Sequence, residues 1–194
     1  MKAAAEQAVP PELIELAREA KEQFERGNYR DAEKTYQKAL TIAPDNLYIL
    51  SNLGVVYFRG QKYKLAEEAF KKATAIAPGD DFSRSTLGIV YYSQGKLDEA
   101  INELTKALAI NPKNATAHNY LGIVAAQKGW VNGAKKEFET AQALDPGLGD
   151  STYRAPAESL PAGDFLTPLE KSRLKIPPSG YRPVKPPASP PIRQ

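Results

Sequence analysis

The chain has 194 residues, 26 Lys/Arg against 23 Asp/Glu, one His and no Cys. That length suits one domain with an appendage. The absence of Cys excludes disulfides and thiol catalysis, and a single His without Cys cannot build an ordinary zinc site. Charge is unevenly spread: residues 1–146 hold 19 basic and 19 acidic residues, whereas 147–194 hold seven basic and four acidic, so the basic excess belongs to the tail.

Residues 1–11 read as a frayed leader. Charge and Pro10-Pro11 interrupt any apolar h-region, so no signal peptide is expected, whether or not Met1 is the native start. No apolar run approaches the roughly 18 residues of a membrane span, which makes a cytoplasmic protein the expectation. Pro11 can open a helix, where its missing N–H costs nothing. Helices are predicted at 12–26 and 29–42, 47–60 and 63–76, 81–94 and 97–110, then 115–128 and 131–144, with connections of two to four residues.

The pairs copy one another at an interval of 34. Pro44, Pro78, Pro112 and Pro146 correspond, as do Ala32, Ala66, Ala100 and Ala134, and Ala39, Ala73, Ala107 and Ala141. Gly54, Gly88 and Gly122 align with Ala20, and Tyr36, Phe70, Leu104 and Phe138 align with each other. Such a period marks a repeat architecture. The third copy shows why it works. Leu87, Val90 and Tyr91 share one face of a first helix, and Ile101, Leu104, Ala107 and Leu108 share one face of a second. Gly95 can end the first helix in the left-handed conformation, and Asn111-Pro112 stops the second. Small residues at Gly88 and Ala100 allow two backbones to approach. One hairpin cannot bury both of its faces, so copies must stack.

This pattern resembles the tetratricopeptide repeat: small at the eighth position, Gly near the fifteenth, Ala at the twentieth, aromatic at the twenty-fourth, Ala at the twenty-seventh and Pro at the thirty-second. Four copies (about 13–46, 47–80, 81–114 and 115–146) fill residues 12–146. Ala20 in place of Gly, the displaced Gly60-Gln61 and Trp130 after Gly129 are mild departures. The resemblance implies an all-α fold, a right-handed α-solenoid of four helix-turn-helix units followed by an extended C-terminal tail. It also implies a concave face that binds peptides through the first helix of each repeat. Carrying over its groove positions, the resemblance assigns Tyr48, Ser51, Val55 and Phe58 from the second repeat, Phe82, Ser85, Ile89 and Tyr92 from the third, and Asn119 and Ile123 from the fourth. Asn52 joins them as a polar specificity residue. In one subset of the family a basic clamp grips a chaperone's C-terminal carboxylate. Its places here hold Ala17, Lys21, Asn52, Phe82 and Thr86, of which only Asn52 matches.

Nothing points to catalysis, a metal or a cofactor. His118 has no nucleophile motif around it, and the glycines Gly88 and Gly95 are too far apart for a phosphate loop. The tail, 147–194, carries ten of the 16 prolines and is expected to be extended or disordered unless bound. Thr167-Pro168-Leu169-Glu170 has capping-box spacing, and with Phe165, Leu166, Leu169, Leu174, Ile176 and Tyr181 it resembles a docking peptide. Its scattered basic residues do not make a nucleic-acid footprint. Trp130, Val131 and Leu144 leave an apolar end on the last repeat, expected to meet another copy, a partner or the tail. The chain thus reads as a protein–protein interaction scaffold with a groove and a second contact arm. The alternative is a structural subunit of a larger complex, anchored by tail and end face.

Overall fold

The computed structural model describes residues 9–148. They form eight α-helices in tandem, α1 Pro11–Glu25, α2 Tyr29–Ile42, α3 Leu47–Arg59, α4 Tyr63–Ile76, α5 Asp81–Ser93, α6 Leu97–Ile110, α7 Ala115–Gln127 and α8 Val131–Leu144, and a single 3-10 turn, η1, at Pro146–Leu148. No strand occurs among the described residues. Each helix packs most extensively on its hairpin partner, and α2, α4 and α6 each pack in turn on the next odd-numbered helix, so the hairpins stack into an α-solenoid.

The even-numbered helices match their predicted spans, while each odd-numbered helix stops one residue short of the expected end. The cause is the same in every repeat. The residue two places beyond the helix turns left-handed: Gly27, Gly95 and Gly129 have φ of 75–78°, and Gln61 has φ 58°. The next amide then reaches back to a carbonyl in the last turn, as Asn28 N–H does to Gln23, Lys62 to Tyr57, Lys96 to Tyr91 and Trp130 to Ala125. This is a Schellman closure, and it uses the carbonyls a helix end leaves unpaired. Because Gly60 keeps φ −77° as the C-cap, the displaced glycine leaves Gln61 in the strained role.

The starts of α3, α5 and α7 are equally regular. The side chains of Asn46, Asp80 and Asn114 accept from the backbone N–H of Ile49, Ser83 and Ala117 at 3.1, 3.0 and 2.9 Å. These N-caps recur every 34 residues, and each satisfies one donor of the first turn.

The crossing within each hairpin explains the pairing of small and aromatic landmarks. A Cβ on Gly54 would lie 2.7 Å from the Phe70 ring, one on Gly88 2.7 Å from Leu104 Cγ, and one on Gly122 2.8 Å from the Phe138 ring. The eighth position is therefore the floor on which the twenty-fourth residue lies. Ala66, Phe70 and Ala73 are completely buried, as are Ala100, Leu104 and Ala107.

Polar ties join successive hairpins on the same rhythm. Lys62 pairs with Glu33 and Lys96 with Glu67, at 2.6 and 2.9 Å. The position 34 residues beyond Lys96 is Trp130, which breaks the series; Lys128 instead reaches Asp98 at 2.6 Å and lies over the Trp130 ring.

Candidate binding groove

The first helix of each repeat forms the inner layer. In α3 every residue from Ile49 to Phe58 is buried, whereas in α4 only Ala66, Ala69, Phe70 and Ala73 are. The inner layer therefore carries the groove positions, and they divide into two groups by exposure.

Tyr48 and Tyr92 are half-buried, with their rings on the inner layer. Burial, opposed by hydrogen bonding with Asn52, raises the Tyr48 phenol to about 12, and burial also raises Tyr92. Both remain neutral hydroxyls at physiological pH. The Tyr92 ring meets Tyr120 edge-on at 5.9 Å between centroids, a favoured geometry for aromatic pairs. Sequence reasoning passed over Tyr120. It stands 68 residues beyond Asn52, so the register that admitted Asn52 also pointed to it.

The other expected groove residues are buried: Ser51, Asn52, Val55, Phe58, Phe82, Ser85, Ile89, Asn119 and Ile123. Phe58 packs on Tyr63 at 5.6 Å and Phe82 on Phe70 at 6.4 Å, so both rings also join helices. Asn52 donates from Nδ2 to the Tyr48 carbonyl at 2.9 Å. The Ser51 and Ser83 hydroxyls lie 3.1 Å apart, and Ser85 donates to the Phe82 carbonyl at 3.1 Å. In the fourth repeat, Asn119 Nδ2 is buried with no hydrogen-bond partner among the described residues. The tail residues Phe165, Leu166, Leu169, Leu174, Ile176 and Tyr181 lie outside the described residues.

The groove holds few charges. Lys21 lies 3.7 Å from Glu25. Arg84, a basic neighbour of the third repeat, turns away from it, donating to the Pro78 carbonyl at 2.8 Å and to Glu103 at 3.1 Å. The only histidine is engaged as well: His118 Nδ1 meets Glu137 at 2.6 Å and Nε2 meets the Pro112 carbonyl at 3.0 Å. Both ring nitrogens thus tie α7 to its neighbours. Among the described residues no cluster of His, Cys, Asp and Glu could hold a metal ion.

Two family models match the chain, one described as TPR repeat over residues 88–129 and one as tetratricopeptide repeat over residues 18–81. They fall on the stacked hairpins just described. The chain belongs to the tetratricopeptide repeat family. Its architecture is that of a protein-interaction scaffold, and the 34-residue landmarks are the family's helix crossings. Solved structures agree. A crystal structure of MamA shares 25% identity over 71% of this chain and 81% of its own, with a TM-score of 0.65. MamA from Desulfovibrio magneticus RS-1, at 23% identity over 71% and 78%, superposes with a TM-score of 0.64 and shows the same fold. The first TPR of Spaghetti (RPAP3), bound to the HSP90 peptide SRMEEVD, shares 25% identity over 61% of this chain and 94% of its own, with a TM-score of 0.59. Among curated protein sequences there is no significant match. No helix among the described residues is long and apolar enough to cross a membrane.

Proposed function

We propose that this repeat array binds an extended or helical segment of a partner protein along the inner face of α1, α3, α5 and α7, and that the Pro-rich tail is a second contact arm. The observation that carries this is the half-buried tyrosine pair, Tyr48 and Tyr92, set on an otherwise apolar and amide-lined inner layer. Aromatic side chains with a neutral hydroxyl anchor a ligand by burial and by hydrogen bonding at little entropic cost. The RPAP3 repeat supports peptide binding as the use of such a surface. The basic clamp is not part of the proposal, because Ala17, Phe82 and Thr86 are buried non-basic residues at its places. The role is non-enzymatic, in a cytoplasmic setting.

Partner capture by the full chain, compared with Tyr48→Ala/Tyr92→Ala, tests the groove. The double variant is expected to keep its helical circular dichroism and lose capture about tenfold or more, since truncated anchors each cost about 1–2 kcal/mol. Capture at wild-type strength moves the binding surface elsewhere. Phe82 is unsuitable for this test, because its contact with Phe70 makes it part of the fold.

A structural subunit of a larger complex, or a self-associating one, is the second reading. One observation favours it: Trp130 and Val131, 52% and 63% exposed, stand on the last repeat, beyond which the described residues hold no further hairpin.

A further inference from the structure

The third and fourth repeats hold their hairpins together with a polar tie at the same place. In the third, Arg84 donates from Nε to the Pro78 carbonyl at 2.8 Å and from Nη1 to Glu103 at 3.1 Å. The residue 34 positions beyond Arg84 is His118, whose ring meets the Pro112 carbonyl at 3.0 Å and Glu137 at 2.6 Å. Pro112 and Glu137 likewise stand 34 positions beyond Pro78 and Glu103. The first repeat holds Leu16 and Thr35 at the places of this pair, and the second Leu50 and Ala69, so the tie is a feature of the later repeats.

The two ties differ in how they respond to protons. Arginine has donors only and keeps its charge at any physiological pH. Histidine has two ring donors only when doubly protonated; its neutral ring has one donor and one acceptor. Both groups that meet His118 accept, one being a carbonyl oxygen and the other a carboxylate oxygen. The imidazolium therefore satisfies both contacts, whereas the neutral ring turns a lone pair towards one of the oxygens. The His118 and Glu137 side chains are only 15% and 21% exposed, which leaves little water to replace a lost bond. Glu103 is also held by Lys106 at 2.7 Å, but the place 34 positions beyond Lys106 is Thr140, whose hydroxyl donates to the Lys136 carbonyl.

We propose that His118 is a proton-dependent latch on the fourth hairpin, closed while the ring carries two protons and released as rising pH removes one. The latch contributes on the acid side of the ring's titration and is lost on the alkaline side. Of the elements packed on α7, α8 supplies the charge that meets the ring, Glu137. Other charges on those elements are engaged elsewhere or exposed. Asp81 of α5 accepts from the Asn111 and Asn114 amides, and Glu103 of α6 from Arg84 and Lys106. Asp98 pairs with Lys128 and Lys135 with Glu139, while Glu99 and Lys136 face solvent. η1 has no titratable side chain. The latch lies on the helix of Tyr120, the edge-on partner of Tyr92, so its release also bears on the inner face. The inference stands independently of what the groove binds.

His118 is the only histidine of the chain, so its ring nitrogens can be followed by NMR in the full-length protein without ambiguity. Between about pH 5 and 8, the range in which histidines change charge, the ring is expected to pass from two N–H groups to one. Amide hydrogen exchange, corrected for its intrinsic pH dependence, should show α7 and α8 losing about tenfold in protection across the same step, the loss of one charged hydrogen bond. Protection of α3 and α4 should not follow it. His118→Arg, which installs the third repeat's residue, should abolish the step, and Arg84→His should create one in α5 and α6. A ring that keeps one charge state throughout, or protection of α7 and α8 that does not follow the ring, would overturn the proposal. Both readouts use the unaltered chain, so the test holds even where a variant fails to fold.

Discussion

The inner and outer helices of one hairpin distribute their apolar surface in opposite ways. In α3 ten consecutive residues are buried, Gly54 and Asn52 among them; in α4 a stripe of Ala66, Ala69, Phe70 and Ala73 is all that is hidden. The inner helix lies between its own partner, the outer helix before it and the inner helices on either side. The outer helix has a solvent face, and there Glu67, Lys71 and Lys96 form ion pairs. A periodicity of 3.6 is therefore plain in the outer helices and in α1, where Leu13, Leu16, Ala17, Ala20 and Phe24 form one stripe, and faint in α3, α5 and α7. The lesson is that in a stacked array the surface proposed here for ligand recognition is made of residues that also hold the stack.

The sharpest way to break that contrast is to remove the ring that joins the layers. Phe70→Ala should cost about 3–5 kcal/mol by urea denaturation, as for a buried aromatic. Glu68→Ala, on the exposed side of the same helix, should change stability by about 0.5 kcal/mol or less. Similar losses for the two would dissolve the distinction between the layers. Next in size, Gly88→Ala puts a methyl 2.7 Å from Leu104 Cγ and should cost about 1–3 kcal/mol. Combined with Leu104→Ala, the loss should fall short of the sum, because both act on one contact.

Two substitutions should stabilise. The Tyr36 hydroxyl is buried with no partner among the described residues, and the same position holds Phe70 and Phe138 in other repeats. Tyr36→Phe should gain about 1 kcal/mol, read as a raised unfolding midpoint. Gln61→Gly relieves a left-handed side chain and should gain somewhat under 1 kcal/mol, the relief being partly offset by glycine's entropy when unfolded. A loss in either case would mean that the neighbouring helices, not the local residue, set the conformation.

The smallest effect concerns acid. Burial would raise the Glu67 carboxyl, but hydrogen bonds from Lys71, Lys96 and Gln94 outweigh it and bring it down from 4.5 to about 2. A depressed carboxyl contributes its stability above the unfolded value and loses it as pH falls. The tie between the second and third repeats should therefore weaken between about pH 4.5 and 2. Glu67→Gln should flatten that part of the stability–pH curve; an unchanged curve would assign the acid sensitivity elsewhere.

Much of this was legible because the repeat states its rules four times. The small residues Gly88 and Ala100 announced a close helix crossing, and Gly95 announced a left-handed helix end; that Gly54, Gly88 and Gly122 each face the side chain of Phe70, Leu104 or Phe138 emerged only from the structure. The caps Asn46, Asp80 and Asn114 were equally periodic but escaped notice among polar loop residues, since a cap is recognised by the amide it reaches. The groove was less legible. Tyr48 and Phe82 occupy the same register in successive repeats, yet one is half-buried and the other packs on Phe70. Exposure depends on neighbours from three different helices, and a single helical period carries no record of them.

The amino-acid sequence alone determined the unit: its length, its two helices, the small residue at their crossing and the stops at each end, all consequences of local sterics and of apolar spacing along one helix. Only the stacked structure decided which inner residues stay partly exposed, which of them lock adjacent hairpins, and that the buried Asn119 amide nitrogen has no partner among the described residues. Those outcomes arise from contacts between residues about 30 positions apart, where packing of one repeat on the next, not the order of residues within it, sets what each side chain meets.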